Sequence, residues 1–388
     1  MKKITPNSSP RNIIAGTPEQ RIAQFKSYLA NHQHLGTAFR KSMDAISRST
    51  GPRIVIVTGP TGAGKTTLAR RIYRELASIY RQETEKDRGF LPVAGISAVP
   101  PSGVSFNWKD FYIRLLTNHG DVMIDRKLAV PRQGEIFCDA LAMSPLERSV
   151  VDTLRRSLES SLLHRRTKVL IIDEAHHLLM VKDPERLKYQ FEALKSLTIE
   201  TDVTIVLFGT YSLLDIRDLS GQLVRRSEIV HLPRYDIRSE TDKAAFSSLV
   251  ATFTRQLPLE QAPDFLNDDA LEYIYTKTAG CVGILKDWFA RCLEQAIKNG
   301  DKTFTIDDAA QYALCNKALR TIIVEAMTGE RKLEDEAIEN ISVLLHGGLP
   351  KVSTEQIDQE SKRLKNRRPV GKRLPVRDPV GGFRHAAP

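Results

Sequence analysis

Eight consecutive residues, Gly59-Pro60-Thr61-Gly62-Ala63-Gly64-Lys65-Thr66, satisfy the pattern G-x-x-x-x-G-K-[ST] in full. Gly59, Gly62 and Gly64 let the backbone curl so that successive N–H groups face phosphate oxygens, and a helix starting at Lys65 adds its positive end. Lys65 is spaced to reach a β- and γ-phosphate, and the Thr66 hydroxyl to ligate Mg²⁺. The expected ATP-holding set is therefore residues 59–67, with Pro60, Thr61, Ala63 and Thr67 inside it. A second element complements the first. In Lys168-Val-Leu-Ile-Ile-Asp173-Glu174 an apolar run ends in two acids. Such a strand delivers Asp173 to hold Mg²⁺ through water and Glu174 to polarise an attacking water, and together the two elements predict ATP hydrolysis. His176 and His177 follow directly. Adjacent side chains diverge on a helix, unlike the i,i+4 pair of a zinc site, so polar packing or a link to the neighbouring loop is the expectation.

The elements that must hold these residues alternate in type. Arg53–Thr58 is a β-branched run ending in the Gly-rich turn, and 65–83 reads as a helix. Leu91–Ile96, Val169–Asp173, Val203–Phe208 and the weaker Ile229–Leu232 read as further strands, with mainly helical pattern over 107–166, broken near 119–133. Strands alternating with helices predict an α/β fold, a central parallel sheet flanked by helices. Upstream, Thr17-Pro18-Glu19-Gln20 signals a helix start leading to about Asn31, and a second helix is predicted over 37–48. After Pro233 the pattern turns helical over 239–255, 267–278, 283–299 and 306–327, which predicts a small α-helical lid domain. The expected layout is an unstructured segment at 1–16, N-terminal helices at 17–50, the α/β nucleotide-binding domain at 51–236, the lid at 237–300, a helical extension at 301–348 and a basic flexible tail at 349–388.

The 388 residues are 41% hydrophobic with a net charge of +10. That supports a sizeable core and excludes wholesale disorder. The charge sits at the ends, because residues 17–350 hold 44 basic against 43 acidic groups. A basic DNA-binding body is thereby excluded. Cys138, Cys281, Cys292 and Cys315 show no metal-ligand spacing and read as small buried hydrophobes or free thiols. No apolar run approaches the ~18–20 residues of a membrane span, and the N-terminus lacks the apolar core of a secretory signal. The expectation is a cytoplasmic protein without a membrane partner.

The order of these features resembles the AAA+ P-loop NTPases of the initiator-like clade over about 35–300. Within them the chain is most similar to the TnsC/TniB transposition regulators, including those of CRISPR-associated transposons. The resemblance rests on GPTGAGKT (59–66), VSFNWKDFYIRLL (104–116), LIIDEAHHLL (170–179), LFGTYSLL (207–214), RRSEIVHLPRY (225–235) and GCVGILKDWF (280–289). It implies that Thr210, after the strand at 203–208, stands near the γ-phosphate if that strand lies between the two motif strands. It implies that Arg226, or in reserve Arg225, projects into a neighbouring subunit's ATP. Lys286 falls where the family usually has an arginine facing the nucleotide. The family forms ATP-dependent rings or helical filaments on double-stranded DNA and links a TniQ-type target selector to transposase subunits, with hydrolysis timing disassembly. Its DNA-backbone contacts come from the region after the second strand, which nominates Lys109, Arg114, Lys127 and Arg132. Single contacts of this kind become strong by repetition round a ring. The tail basic groups from Lys362 to Arg373 suit either DNA phosphates or a tether to a transposase subunit.

Three rival functions are weighed against this one. A helicase or translocase calls for strand-separating or motor elements, and a secretion-associated ATPase commonly adds a membrane span. A replication initiator calls for a winged-helix domain after the lid, where residues 300–350 read as short and helical.

Overall fold

The computed structural model describes residues 16–48, 53–101, 103, 106–121, 145–180, 184–219, 225, 227–335 and 337–346. Arg226, Lys127, Arg132, Cys138 and the expected terminal segment and tail lie outside the described residues. Two compact units are present, residues 1–333 and 334–388.

Five short strands carry the first unit: β1 (Ile54–Thr58), β2 (Val93–Ser97), β3 (Val169–Asp173), β4 (Thr204–Gly209) and β5 (Ser227–His231). All residues of β1 and β4 are buried, because helices cover both faces of the sheet. The order is β2-β3-β4-β1-β5, and every pairing is parallel. All five strands therefore end at one edge of the sheet. That edge receives the phosphate loop from β1, the acid pair from β3 and Thr210 from β4.

The helices are α1 (Pro18–Ser27), α2 (Gln33–Ser47), α3 (Lys65–Ile79), α4 (Arg81–Lys86), α5 (Trp108–Asn118), α6 (Pro145–His164), α7 (Pro184–Thr201), α8 (Glu240–Gln256), α9 (Asp268–Thr278), α10 (Val282–Asn299), α11 (Ile306–Ala310), α12 (Asn316–Leu333) and, in the second unit, α13 (Ile338–Leu345). Local chemistry sets most of the starts. Thr17 and Gln20 form a capping box with Pro18 in the first turn, Ser239 and Asn267 cap α8 and α9, and Thr305 with Asp308 boxes α11. The α2 helix begins four residues before the expected 37, because His32 accepts from the Leu35 N–H and carries Gly36 into the helix. The expected 306–327 helix is two helices, α11 and α12.

Three principal cores result among the described residues. One face of the sheet packs Ile54, Ile56, Ile172 and Leu207 against Leu115 of α5, Leu154 and Leu158 of α6 and Leu194 of α7. Phe106, Trp108, Phe111 and Tyr112 form an edge-to-face aromatic cluster joined to this core, so the rings of that segment serve packing. The lid core gathers Phe246, Phe253, Ile274, Trp288, Phe289 and Leu293, and it takes Phe25 of α1 as well. Leu35, Ala38 and Ala45 of α2 instead cover the other face of the sheet with Val55, Val57 and Leu68. The expected unit at 17–50 thus divides between two cores. Cys281 and Cys292 are buried in the lid, where burial pushes both thiols up to about 12, while Cys315 is exposed. Among the described residues no helix is long and apolar enough to cross a membrane.

Candidate nucleotide site

The buried strand β1 leads into the loop, and Gly64, at φ 98°, is the residue from which α3 starts without a capping side chain. A left-handed turn here costs glycine nothing and would strain any other residue. The first-turn N–H groups of Lys65, Thr66 and Thr67 are of the kind that hold anions at helix starts. Lys65 is only 8% exposed, and its ammonium donates to the carbonyl oxygens of Gly59 (3.0 Å) and Pro60 (2.8 Å). Burial pushes its pKa down, partly offset by the nearby Glu174 carboxylate.

From β3, Asp173 accepts through Oδ1 from the Glu174 N–H at 2.9 Å. Glu174 itself sits at φ 52°, ψ 33°, a left-handed conformation that costs a non-glycine residue about 1–2 kcal/mol. The bend turns the chain out of the strand into a 3-10 helix, residues 175–179. Thr66 and Asp173 line one cleft with Arg70, Tyr73, Ser97 and Asn118, between α3 and the β2 edge. A hydroxyl and a carboxylate sharing a cleft are hard oxygen donors of the kind Mg²⁺ takes alongside substrate phosphates, so these residues fit that ion. The Thr210 hydroxyl pairs with Ser212 Oγ at 3.0 Å, and its strand β4 does lie between β1 and β3.

Four expected residues stand elsewhere. The Lys286 ammonium donates to the Lys26 carbonyl oxygen at 2.7 Å, which ties α10 to the C-terminal end of α1. Arg225 is exposed just before β5. Because Ile54 pairs with Ser227 in a parallel ladder, Arg225 lies at the opposite end of the sheet from its own phosphate loop. At about 3.3 Å per residue, five residues of strand put it roughly 16 Å beyond that loop's edge. Lys109 and Arg114 are exposed on α5, about 140° apart round the helix, and Arg114 is paired with Asp110 at 2.7 Å. The expected divergence of His176 and His177 is also corrected. Their ring centroids lie 4.2 Å apart, because the backbone is a 3-10 turn entered from a left-handed residue rather than an α-helix.

Other contacts escaped the sequence reading. The Gly283 N–H donates to the Gly62 carbonyl oxygen at 2.6 Å, and a Cβ at Gly62 would lie 2.7 Å from Ile284 Cγ1. The lid helix α10 therefore begins against the phosphate loop, glycine on glycine. The C-terminal helix α12 returns to the sheet. Gly329 lies flat on the ring of Tyr211, whose hydroxyl is hydrogen-bonded to His231 Nε2 at 2.8 Å, and Glu330 takes two bonds from Arg234, at 2.8 and 3.1 Å. The signal was present as a lone mid-helix glycine, but nothing local said which ring it met. A Cβ at Gly329 overlaps the Tyr211 ring. Gly329→Ala is expected to destabilise the protein by about 1–3 kcal/mol, read as a lowered thermal midpoint with faster amide exchange over 316–333. Lys286→Met is expected to leave nucleotide affinity unchanged and to speed exchange in α1 about fivefold at most, the equivalent of the ~0.3–1 kcal/mol of a cation at a helix C-terminus.

Residues 48–216 match the family model described as AAA domain. The match covers less than half of the chain, which over that stretch is similar to an AAA domain. Its five-stranded parallel sheet flanked by helices is the AAA+ P-loop NTPase fold, followed by a helical C-terminal region. Solved structures similar to it include the ORC2 protein of Aeropyrum pernix in ADPNP–ADP complexes, 14% identical over 89% of each chain with a TM-score of 0.49. The Drosophila ORC bound to DNA is 15% identical over 95% of this chain and 88% of that one, with a TM-score of 0.47. Domain III of the Thermotoga maritima replication initiation protein DnaA is 12% identical over 74% of this chain and 94% of that one, at 0.42. No curated protein matches the chain.

Proposed function

We propose that the protein is an ATP-hydrolysing switch that assembles on double-stranded DNA and serves as a transposition regulator of the TnsC/TniB type. The observation that carries the ATPase reading is the convergence of Lys65, Thr66, Asp173, Glu174 and Thr210 at one edge of a parallel sheet. Lys65 exchanges two carbonyl contacts for phosphate oxygens, and the α3 N-terminus holds the same phosphates through backbone N–H groups. Thr66 and Asp173 hold Mg²⁺, which when bound neutralises charge on the β- and γ-oxygens. Glu174 orients and deprotonates the attacking water, and the Thr210 hydroxyl steadies it from the adjacent strand. Thr61, Ala63 and Thr67 complete the cradle with Gly59, Pro60, Gly62 and Gly64.

Arg225 stands too far from its own loop to serve it, which supports action by Arg225 or Arg226 on the ATP of a second copy and hence a ring or helical filament. Lys109, Arg114, Lys127 and Arg132 supply backbone contacts to DNA, which carry no sequence information, so target choice falls to a TniQ-type selector. The DNA and transposition readings rest on the resemblance of segments 104–116, 207–214, 225–235 and 280–289. A replication-initiator-like ATPase shares the same AAA domain. Beyond the lid the described residues are helical, α11 to α13, and the replication-initiator-like reading fits this fold as well.

Imaging of purified protein on duplex DNA decides between them. Ordered oligomers with ATP or a slowly hydrolysed analogue, absent with ADP and recruiting transposase, are the expected result. Duplex unwinding or directional movement overturns the proposal.

A further inference from the structure

His176 and His177 have no part in the hydrolysis assigned to Glu174, yet they are placed with care. One donor atom from each of Glu174, His176 and His177 lies within 4.8 Å of the others. Glu174 Oε2 and His176 Nδ1 are 3.2 Å apart, without hydrogen-bond geometry. The Nδ1 atoms of both histidines are buried and make no hydrogen bond. A buried polar atom without a hydrogen bond is costly, so two on neighbouring residues point to a ligand that takes lone pairs. Tetrahedral Zn²⁺, with bonds of about 2.0–2.1 Å to imidazole nitrogen and carboxylate oxygen, sets its donors about 3.3–3.5 Å apart. The Glu174–His176 pair is at that spacing already, and side-chain rotation closes the remainder. The Glu174 side chain is 42% exposed, which leaves a path for an ion from solvent.

We infer that Glu174, His176 and His177 form a binding site for a borderline divalent transition-metal ion, of which Zn²⁺ is the type, and that its occupation arrests hydrolysis. The brake rests on the assignment of Glu174 as the base. A carboxylate oxygen that donates its lone pair to a metal cannot at the same moment take a proton from water. Two cations sort by donor: Mg²⁺ keeps to the oxygens of Thr66, Asp173 and phosphate, while the two imidazoles select the softer ion. The loop, Lys65 and the α3 N-terminus are untouched, so ATP stays bound and the DNA-bound assembly persists.

The test uses the full chain, stripped of metal and free of nucleotide, with Co²⁺ as the spectroscopic probe. One equivalent is expected to give the intense visible bands of a four-coordinate nitrogen–oxygen site. His176→Asn and His177→Asn are each expected to weaken that binding tenfold or more, and Glu174→Gln to weaken it likewise. Thermal midpoints of the variants within a few degrees of the parent show that folding is not the cause. With saturating Mg²⁺ and ATP, micromolar Zn²⁺ is expected to lower turnover at least tenfold in the parent but not in the His176→Asn/His177→Asn double variant. Binding of a fluorescent ATP analogue is expected to stay unchanged in both. No cobalt bands, or bands that the histidine variants leave intact, overturn the site. Bands lost in the variants with turnover indifferent to Zn²⁺ uphold the site but overturn the brake, and with it the reading of Glu174 as the base.

Discussion

Lys65→Ala is expected to lose nucleotide-dependent assembly altogether, with ATP affinity reduced roughly 10–100-fold, the equivalent of about 1.5–3 kcal/mol for charged hydrogen bonds to phosphate. Stability is expected to move little. The ammonium is buried at 8% exposure, held by two carbonyl oxygens, and its pKa is pushed down by that burial. A lysine whose folded pKa lies below its unfolded one opposes folding at neutral pH, and the penalty fades only as pH rises toward the unfolded value. Removing the charge removes the penalty. The thermal midpoint is therefore expected to hold to within about 1–2 °C of the parent, the span of roughly 1 kcal/mol in a protein of this size. Differential scanning calorimetry and nucleotide titration check the two halves separately. Assembly that still follows ATP in this variant would remove Lys65 from the phosphate site, and a collapsed midpoint would make it a folding residue instead.

Glu174→Gln is expected to lower turnover by about 10²–10⁴-fold while ATP affinity stays within a few-fold of the parent. The glutamine keeps the shape of the side chain and faces the same left-handed backbone at φ 52°, so the bend out of β3 is preserved. The proton acceptor alone is lost. DNA-bound assemblies of this variant are expected to outlive those of the parent under ATP, and single-molecule dwell times measure it. The contrast with Lys65→Ala is diagnostic, because one variant fails before assembly and the other fails to leave it. A Glu174→Gln protein that binds ATP but never assembles would refute hydrolysis as a timer.

The phosphate loop was legible because its chemistry is local. Three glycines, a lysine and a threonine within eight residues fix both a backbone path and a charge, and no distant contact is needed to read them. The strands were legible because helices on both faces demand unbroken apolar runs, as in Ile54–Thr58 and Thr204–Gly209. Lys286 shows the limit of positional reasoning. Its place near the start of a lid helix matched the resemblance, but its side chain reaches the Lys26 carbonyl, a partner 260 residues away. His176 and His177 show a different limit. Helical spacing presupposes an α-helix, and the left-handed bend at Glu174 replaced it with a 3-10 turn that brings the rings together.

By itself the sequence determined the glycine-rich turn between a strand and a helix, the acid pair at the end of a buried strand, the alternation that builds an α/β sheet and the near-neutral body between charged ends. These features depend on short-range geometry and on the free energy of burying periodic apolar residues. Only the tertiary structure decided the strand order that sets Thr210 between the loop and the acids, and the parallel register that carries Arg225 to the far end of the sheet. It alone set Gly283 on Gly62 and Gly329 on Tyr211. Those contacts join residues more than 100 positions apart, and close packing selects them from many partners that local propensity cannot rank.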